Sequence, residues 1–312
     1  MISRSSRATG GGDTRHNRHA NLGGPDAMAA GAIETYHHDS PLGAWDIAMR
    51  RPHPVLRPHV LQLWHGVGRV SYERDRILPQ ARSYLLINLG PPQYLFLPGP
   101  PEVRVVFDDI WFSGLHEGPI ETSAPHGNVL LGVAFSASGA AALLPWSQAE
   151  LANRTGPLHE LIGDAALRLR ERLLNTASVA GRLALVEDWL LDTCISGRSI
   201  HPLVHWTLAR IHQSGGCVRA EELAREAGCS RRYLGTLVSR SVGLPPKSLA
   251  RIYRFQQALT RIRTTGDWAQ LAAECGYYDQ SHLIRDFQQF SGLAPVAFAR
   301  SAQPDPGSIV VR

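Results

Sequence analysis

The chain has 312 residues, of which 44% are hydrophobic and 19% charged, and its net charge is +5. That length suits two domains with cores of their own, and no run approaches the roughly 18 apolar residues of a membrane span. The N-terminus also lacks the apolar segment of a secretory signal, so a cytoplasmic location is expected.

Residues 1–33 are rich in Gly, Arg and His without periodicity, and a disordered tail is expected there. Met28 is a second candidate start. From residue 34 to about Ala137 the chain reads as strands: "AWDIAM", "HVLQLWHGV", "RSYLLINLG", "QYLFLPG", "EVRVVF", "IWFSGL" and "NVLLGVAFSA". Pro/Gly turns such as "GPPQ" and "PGPPE" separate many of them, which points to an antiparallel barrel or sandwich. Trp45, Trp64, Tyr84, Trp111, Phe112 and Trp146 sit among these runs. Core packing is their first reading, and a small-molecule pocket the second.

After Ser138 the pattern turns helical. "SGAAALLPWSQAELANRTG" reads as two short helices broken at Pro145, followed by two longer amphipathic helices over "PLHELIGDAALRLRERLLN" and "SVAGRLALVEDWLLDTCIS". Val179, Leu183, Val186 and Leu190 form one face of the last. That face either packs on the strands or makes a homodimer. Residues 34–196 are thus expected to form a β-rich sensor or dimerisation domain with C-terminal helices, and "SGRSIHP" (Ser196–Pro202) a hinge.

The basic excess lies beyond this hinge. Between His201 and Ser301 there are 13 Lys and Arg against 7 Asp and Glu, a bias that suits contact with a polyanion. The same segment holds an internal repeat. "ELAREAGCSRRYLGTLVSRSVGLPP" (Glu222–Pro246) matches "QLAAECGYYDQSHLIRDFQQFSGLAP" (Gln270–Pro295), with one residue inserted in the turn of the second copy. Each copy reads as helix, tight turn, helix. Gly228 and Gly276 stand where the first helix must stop, and Ser230 and Asp279 where the second must be capped. Leu234, Leu237 and Val238 in one copy, and Leu283, Phe287 and Phe290 in the other, share a buried face.

The opposite faces carry Arg231, Arg232, Gly235, Thr236 and Arg240, then Gln280, Ser281, His282, Arg285 and Gln289. Arg forks onto guanine and Gln onto adenine, while Ser and Thr accept either. A merely solvated face would favour Glu and Lys, yet this domain has one lysine, Lys247. Between the copies, "PKSLARIYRFQQALTRI" predicts a helix about 25 Å long. Leu249, Ile252, Leu259 and Ile262 form its apolar stripe, and Arg251, Arg254 and Arg261 are left for solvent or phosphate. Such a rod would hold two recognition helices in successive major grooves of double-stranded DNA, about 34 Å apart.

These residues, and "CGYYDQSHLIRDFQQFSGLAP" above all, resemble the DNA-binding domain of AraC/XylS-type transcription regulators over about His201–Arg300. The resemblance implies a domain at 200–302 that binds a promoter or operator, with Arg231, Arg232, Thr236, Arg240, Gln280, Ser281, His282 and Arg285 as DNA-contacting candidates. Many members carry a second Arg where this chain has Thr236, so the first motif is expected to read fewer bases. "LRPHVLQLWHG", "RILPQARSYLLINLG" and "VAFSASGAAALLPW" resemble, more loosely, the sensor domains that precede this unit. That implies a cupin-like barrel and a small-molecule effector. The expected fold class is α+β: an antiparallel β-barrel or sandwich with helices, then an all-α tandem helix-turn-helix domain, and a flexible tail at 303–312.

Three rivals remain in view. A DNA-repair alkyl-acceptor protein needs an activated, metal-held cysteine, and Cys194, ahead of the repeat, has no cysteine partner in sequence. Cys194, Cys217, Cys229 and Cys275 read as reduced thiols. A metal-dependent barrel enzyme needs clustered His and carboxylate ligands, and His116-Glu117 with His126 is the nearest approach. A nucleoid-like binder without sequence preference would want lysine-rich faces. No catalytic residue, metal or cofactor is assigned.

Overall fold

The computed structural model describes residues 31–97, 99–142, 144, 147–194, 199–263 and 267–311. The expected disordered tail therefore lies outside the described residues up to residue 30, as do Trp146 and residues 196–198 of the expected hinge. The strands are β1 (Ile33–Ser40), β2 (Gly43–Arg50), β3 (Val60–Val70), β4 (Arg74–Ile77), β5 (Ser83–Asn88), β6 (Gln93–Leu97), β7 (Val103–Phe107), β8 (Ile110–Ser113), β9 (Ile120–Ser123) and β10 (Asn128–Phe135). Helix α1 (Gln148–Leu151), strand β11 (Thr155–Pro157) and helices α2 (His159–Ile162), α3 (Asp164–Leu174) and α4 (Val179–Cys194) complete the first domain. The second contains α5 (Pro202–Gln213), α6 (Ala220–Glu226), α7 (Arg231–Val242), α8 (Pro246–Arg261), α9 (Trp268–Glu274), α10 (Gln280–Ser291) and α11 (Pro295–Ala299). A last strand, β12 (Ser308–Val311), follows.

Two sheets of antiparallel pairs run β1-β2-β3-β10-β5-β8-β11 and β12-β4-β9-β6-β7. Strand alternation gives the larger sheet two different faces. Leu63, Leu85, Ile87, Phe112, Leu131 and Val133 point one way, into a core closed by Leu169 and Leu173 of α3 and Leu183, Val186 and Leu190 of α4. Gln62, Trp64, Tyr84, Leu86, Trp111 and Leu130 point the other way, into a cavity facing the smaller sheet. The barrel is therefore layered as helices, sheet, cavity, sheet.

This layering corrects several expectations. Leu183, Val186 and Leu190 are fully buried against the barrel, so that face is core and not a dimer surface. Arg50 and the backbone N–H of His53 both bind the Glu187 carboxylate, at 2.6 and 2.8 Å, and fix α4 to the barrel. The expected long helix before α4 breaks at Gly163, whose φ of +64° separates α2 from α3. Residue 33 already belongs to β1. The C-terminal tail is not free: β12 pairs with β4, from Ser308↔Ile77 to Val311↔Arg74.

The second domain has one apolar core, formed by residues such as Leu234, Val238, Phe255, Leu271, Phe287 and Phe290. Leu78 and Leu115 of the barrel and Ile309 of β12 are buried in the same cluster. The domains share a packed boundary, with Gln256 of α8 donating to the Pro79 carbonyl at 2.6 Å.

Candidate nucleic-acid interface and barrel cavity

Each half of the repeat forms as its sequence directs. Gly228 and Gly276 take φ of +63° and +72° at the turns, a backbone region costly for any residue with a Cβ. Ser230 then accepts the Tyr233 N–H at 3.1 Å, and Asp279 accepts that of His282 at 2.7 Å. These caps satisfy one of the orphan donors at each recognition-helix N-terminus. α7 buries Leu234, Val238 and Val242, and α10 buries Leu283, Phe287 and Phe290.

With those faces inward, Arg231, Arg232, Thr236 and Arg240 of α7 are exposed, as are Gln280, Ser281 and Arg285 of α10. Among the described residues Arg232, Thr236, Arg240 and Gln280 make no side-chain hydrogen bond or ion pair. Arg231 is held by Glu221 of α6, which fixes its place and shares its charge. Arg285 donates back to the Ser281 carbonyl at 3.3 Å. His282 is half-buried, its ring edge-on to Tyr277 with centroids 5.2 Å apart. It supports the turn more than it offers an open face.

The arginines of α8 are not the free phosphate ligands that periodicity suggested. Arg251 donates to Asp286 and to Gln289, both at 2.6 Å, and lies over the Phe290 ring. Asp286 is 2% exposed, so this is a buried ion pair inside the second motif. Arg254 donates to the Gly216 carbonyl at 3.0 Å and stacks over Tyr277. Burial raises the Tyr277 phenol, and the neighbouring Asp286 carboxylate adds to that. Arg261 lies 3.7 Å from Glu274. α8 is a brace whose Arg251 and Arg254 turn toward neighbouring elements, while Lys247 and Arg261 are exposed.

The second candidate site is the cavity between the sheets, about 620 Å³ in volume. Trp45, Trp64, Tyr84 and Trp111 line it, so four of the aromatics first read as core are pocket walls, while Phe112 is core. Its polar groups come from several strands. His116 stands 3.1 Å from the hydroxyls of both Ser113 and Thr155. Burial pulls its imidazole down to about 4, so it is neutral at physiological pH. Asp75 takes a hydrogen bond from Thr122; burial, aided by the charge of Asp305, pushes its carboxyl up to about 6. Gln93 is buried with its amide nitrogen unpartnered.

Glu117 lies beside His116 in sequence, His126 is exposed, and among the described residues no group of three His, Cys, Asp or Glu side chains is placed to hold a metal. No helix among the described residues is long and apolar enough to cross a membrane.

Comparison with known proteins bears on the domain that carries the repeat. The family described as "Helix-turn-helix domain" matches residues 223–301. No curated protein matches the chain. Among solved structures, the C-terminal domain of AraT, a response regulator from Geobacillus stearothermophilus, is 21% identical. That likeness covers 33% of this chain and 88% of that one, with a TM-score of 0.31. ToxT from Vibrio cholerae is 15% identical over 73% of this chain and 93% of its own, at a TM-score of 0.40. Oxalate decarboxylase from Bacillus subtilis is 11% identical over 36% of this chain and 31% of its own, at a TM-score of 0.25. At these TM-scores the structural likenesses carry no argument of their own, whereas the matched domain does. The C-terminal third is a helix-turn-helix DNA-binding domain of the AraC type, as its residues led us to expect.

Proposed function

We propose that this chain is a transcription regulator of the AraC type, that it reads one asymmetric operator with two recognition helices, and that the barrel cavity holds its effector. The observation that carries the DNA reading is the pair of outward faces. Arg232, Thr236 and Arg240 in one motif, and Gln280, Ser281 and Arg285 in the other, stay exposed while their helices are anchored from behind. Base readout needs such unclaimed donors and acceptors on a rigid helix. The arginine-richer α7 suits phosphate positioning, with Arg232 as its base-reading candidate, and α10 suits base discrimination.

Selection of binding sites from a random duplex pool by the full chain tests this. The expected product is a motif spanning two adjacent major grooves on one face of the duplex. Salt-sensitive binding with no enriched motif would overturn the operator reading.

The cavity's size lies within the usual range for small-molecule sites. Its apolar aromatic walls, its neutral His116 and its two carboxylates, Asp75 and Asp305, set against one arginine, Arg82, favour an uncharged or amine-bearing effector over an anion, since a further negative charge would outnumber the cation present. Titration with matched aromatic amines, alcohols and carboxylates checks the class. Tightest binding by the carboxylate would reverse the assignment.

A further inference from the structure

Residues 302–311 connect the two candidate sites. Beyond α11 the chain crosses the cavity, where Pro304, Asp305, Pro306 and Gly307 form part of the lining. It then joins the edge of the smaller sheet as β12. Asp305 shapes the crossing: one carboxylate oxygen accepts the Gly307 N–H and the other the Ser308 hydroxyl, both at 2.6 Å. The Leu78 N–H donates to the Gly307 carbonyl at 2.8 Å. A Cβ on Gly307 would meet the Gln80 amide nitrogen at 2.3 Å, so the segment lies tight on the cavity rim. Two residues later Ile309 is buried in the core of the DNA-binding domain.

Strand β4, on which β12 lies, points both ways. Asp75 and Ile77 line the cavity. Arg76, between them, binds Glu121 at 2.6 Å and donates to the Ser291 carbonyl at 2.8 Å. Ser291 is the last residue of α10, so the cavity wall and the end of the second recognition helix are joined through one side chain. β12 is a four-residue edge strand whose one fully buried apolar side chain is Ile309, and an edge element with so few buried apolar contacts opens more readily than a core strand.

We propose that residues 302–311 are a strap that both gates the cavity and ties α10 to the barrel. Release of the strap admits the effector and loosens the β4 edge that carries Arg76, so effector binding and the seating of the second recognition helix are one equilibrium. The proposal rests on the cavity being the effector site.

The test locks the strap without removing it. Arg74 and Val311 face each other in the register, and Arg74→Cys with Val311→Cys places thiols on opposite strands at disulfide range. The ligand probe is N-phenyl-naphthylamine, an uncharged aromatic fluorophore, mixed with full-length protein in stopped flow; wild type treated with the same oxidant is the control. Oxidation of the pair is expected to slow probe uptake at least tenfold, and dithiothreitol to restore it. Equal uptake by the oxidised and reduced forms would overturn the gate while leaving the cavity as a binding site. Failure of the probe to bind any form, wild type included, would instead remove the cavity reading and the gate with it. In the reduced protein, saturating probe should raise amide exchange over 308–311 and 288–292 together. Unchanged exchange at 288–292 would overturn the tie to α10.

Discussion

The two helix-turn-helix motifs descend from one sequence pattern yet are anchored by different physics. In the first, α7 packs against α1 and the preceding turn of the barrel domain, and its inner face is wholly apolar, with Leu237 where the second copy has Asp286. In the second, that position is a carboxylate, 2% exposed and paired with Arg251 of the connecting helix. α10 is also tied to the barrel at its far end by Arg76. An apolar contact tolerates small shifts, whereas a buried ion pair holds only in one geometry, because each charge left unpaired is costly. The second motif is therefore the more sharply positioned, and it is the one to which we assign the more discriminating base readout.

Breaking the ion pair is the severest challenge to this contrast. Arg251→Ala leaves Asp286 buried and uncompensated, and should destabilise the protein by about 3–5 kcal/mol, read by urea denaturation. Converting the site to the first motif's chemistry, with Arg251→Met and Asp286→Leu together, should recover most of that loss, since well-packed apolar replacements of buried pairs are often neutral. A cost below about 1 kcal/mol for Arg251→Ala would mean that water already solvates Asp286, and the contrast between the motifs would fail.

What the sequence disclosed follows from how local each determinant is. The repeat was legible because a turn glycine, a cap three residues before its amide partner and an apolar face at helical spacing all lie within one short window. Arg251 was not: on α8 it reads as one more surface cation, and its partner lies on another helix. β4 and β12 were missed for a related reason. "RDRI" is too polar and short to announce a strand, and "SIVV" becomes one only by meeting β4 from the other end of the chain. The aromatics of the barrel show a third limit. Trp64, Tyr84 and Trp111 share the face turned to the cavity, but a face turned to a cavity and a face turned to a core have the same period, so core is their first reading. The leucines of α4 failed to distinguish core from dimer surface on the same ground, and burial decided for the core.

The finest comparison sets Arg285 against Thr236, the residues that the repeat places at the same point of the two recognition helices. Arg285 is exposed and held only by its own helix, so its fork remains free for two parallel bonds to a guanine. Thr236 offers a single hydroxyl there. Arg285→Ala should weaken operator binding by about 1–3 kcal/mol and relax the choice at one base pair. Thr236→Ala should cost no more than about 1 kcal/mol, the net worth of one ordinary hydrogen bond, and leave the motif's other positions as selective as before. Affinities on the selected duplex and on its single-base variants, at fixed salt, separate the outcomes. If Arg285→Ala weakened every duplex equally and lowered the salt slope by about 1, Arg285 would be holding a phosphate. Discrimination would then have to come from Gln280 and Ser281, at the first turn of α10, where a helix laid in the major groove brings its N-terminal residues nearest the bases.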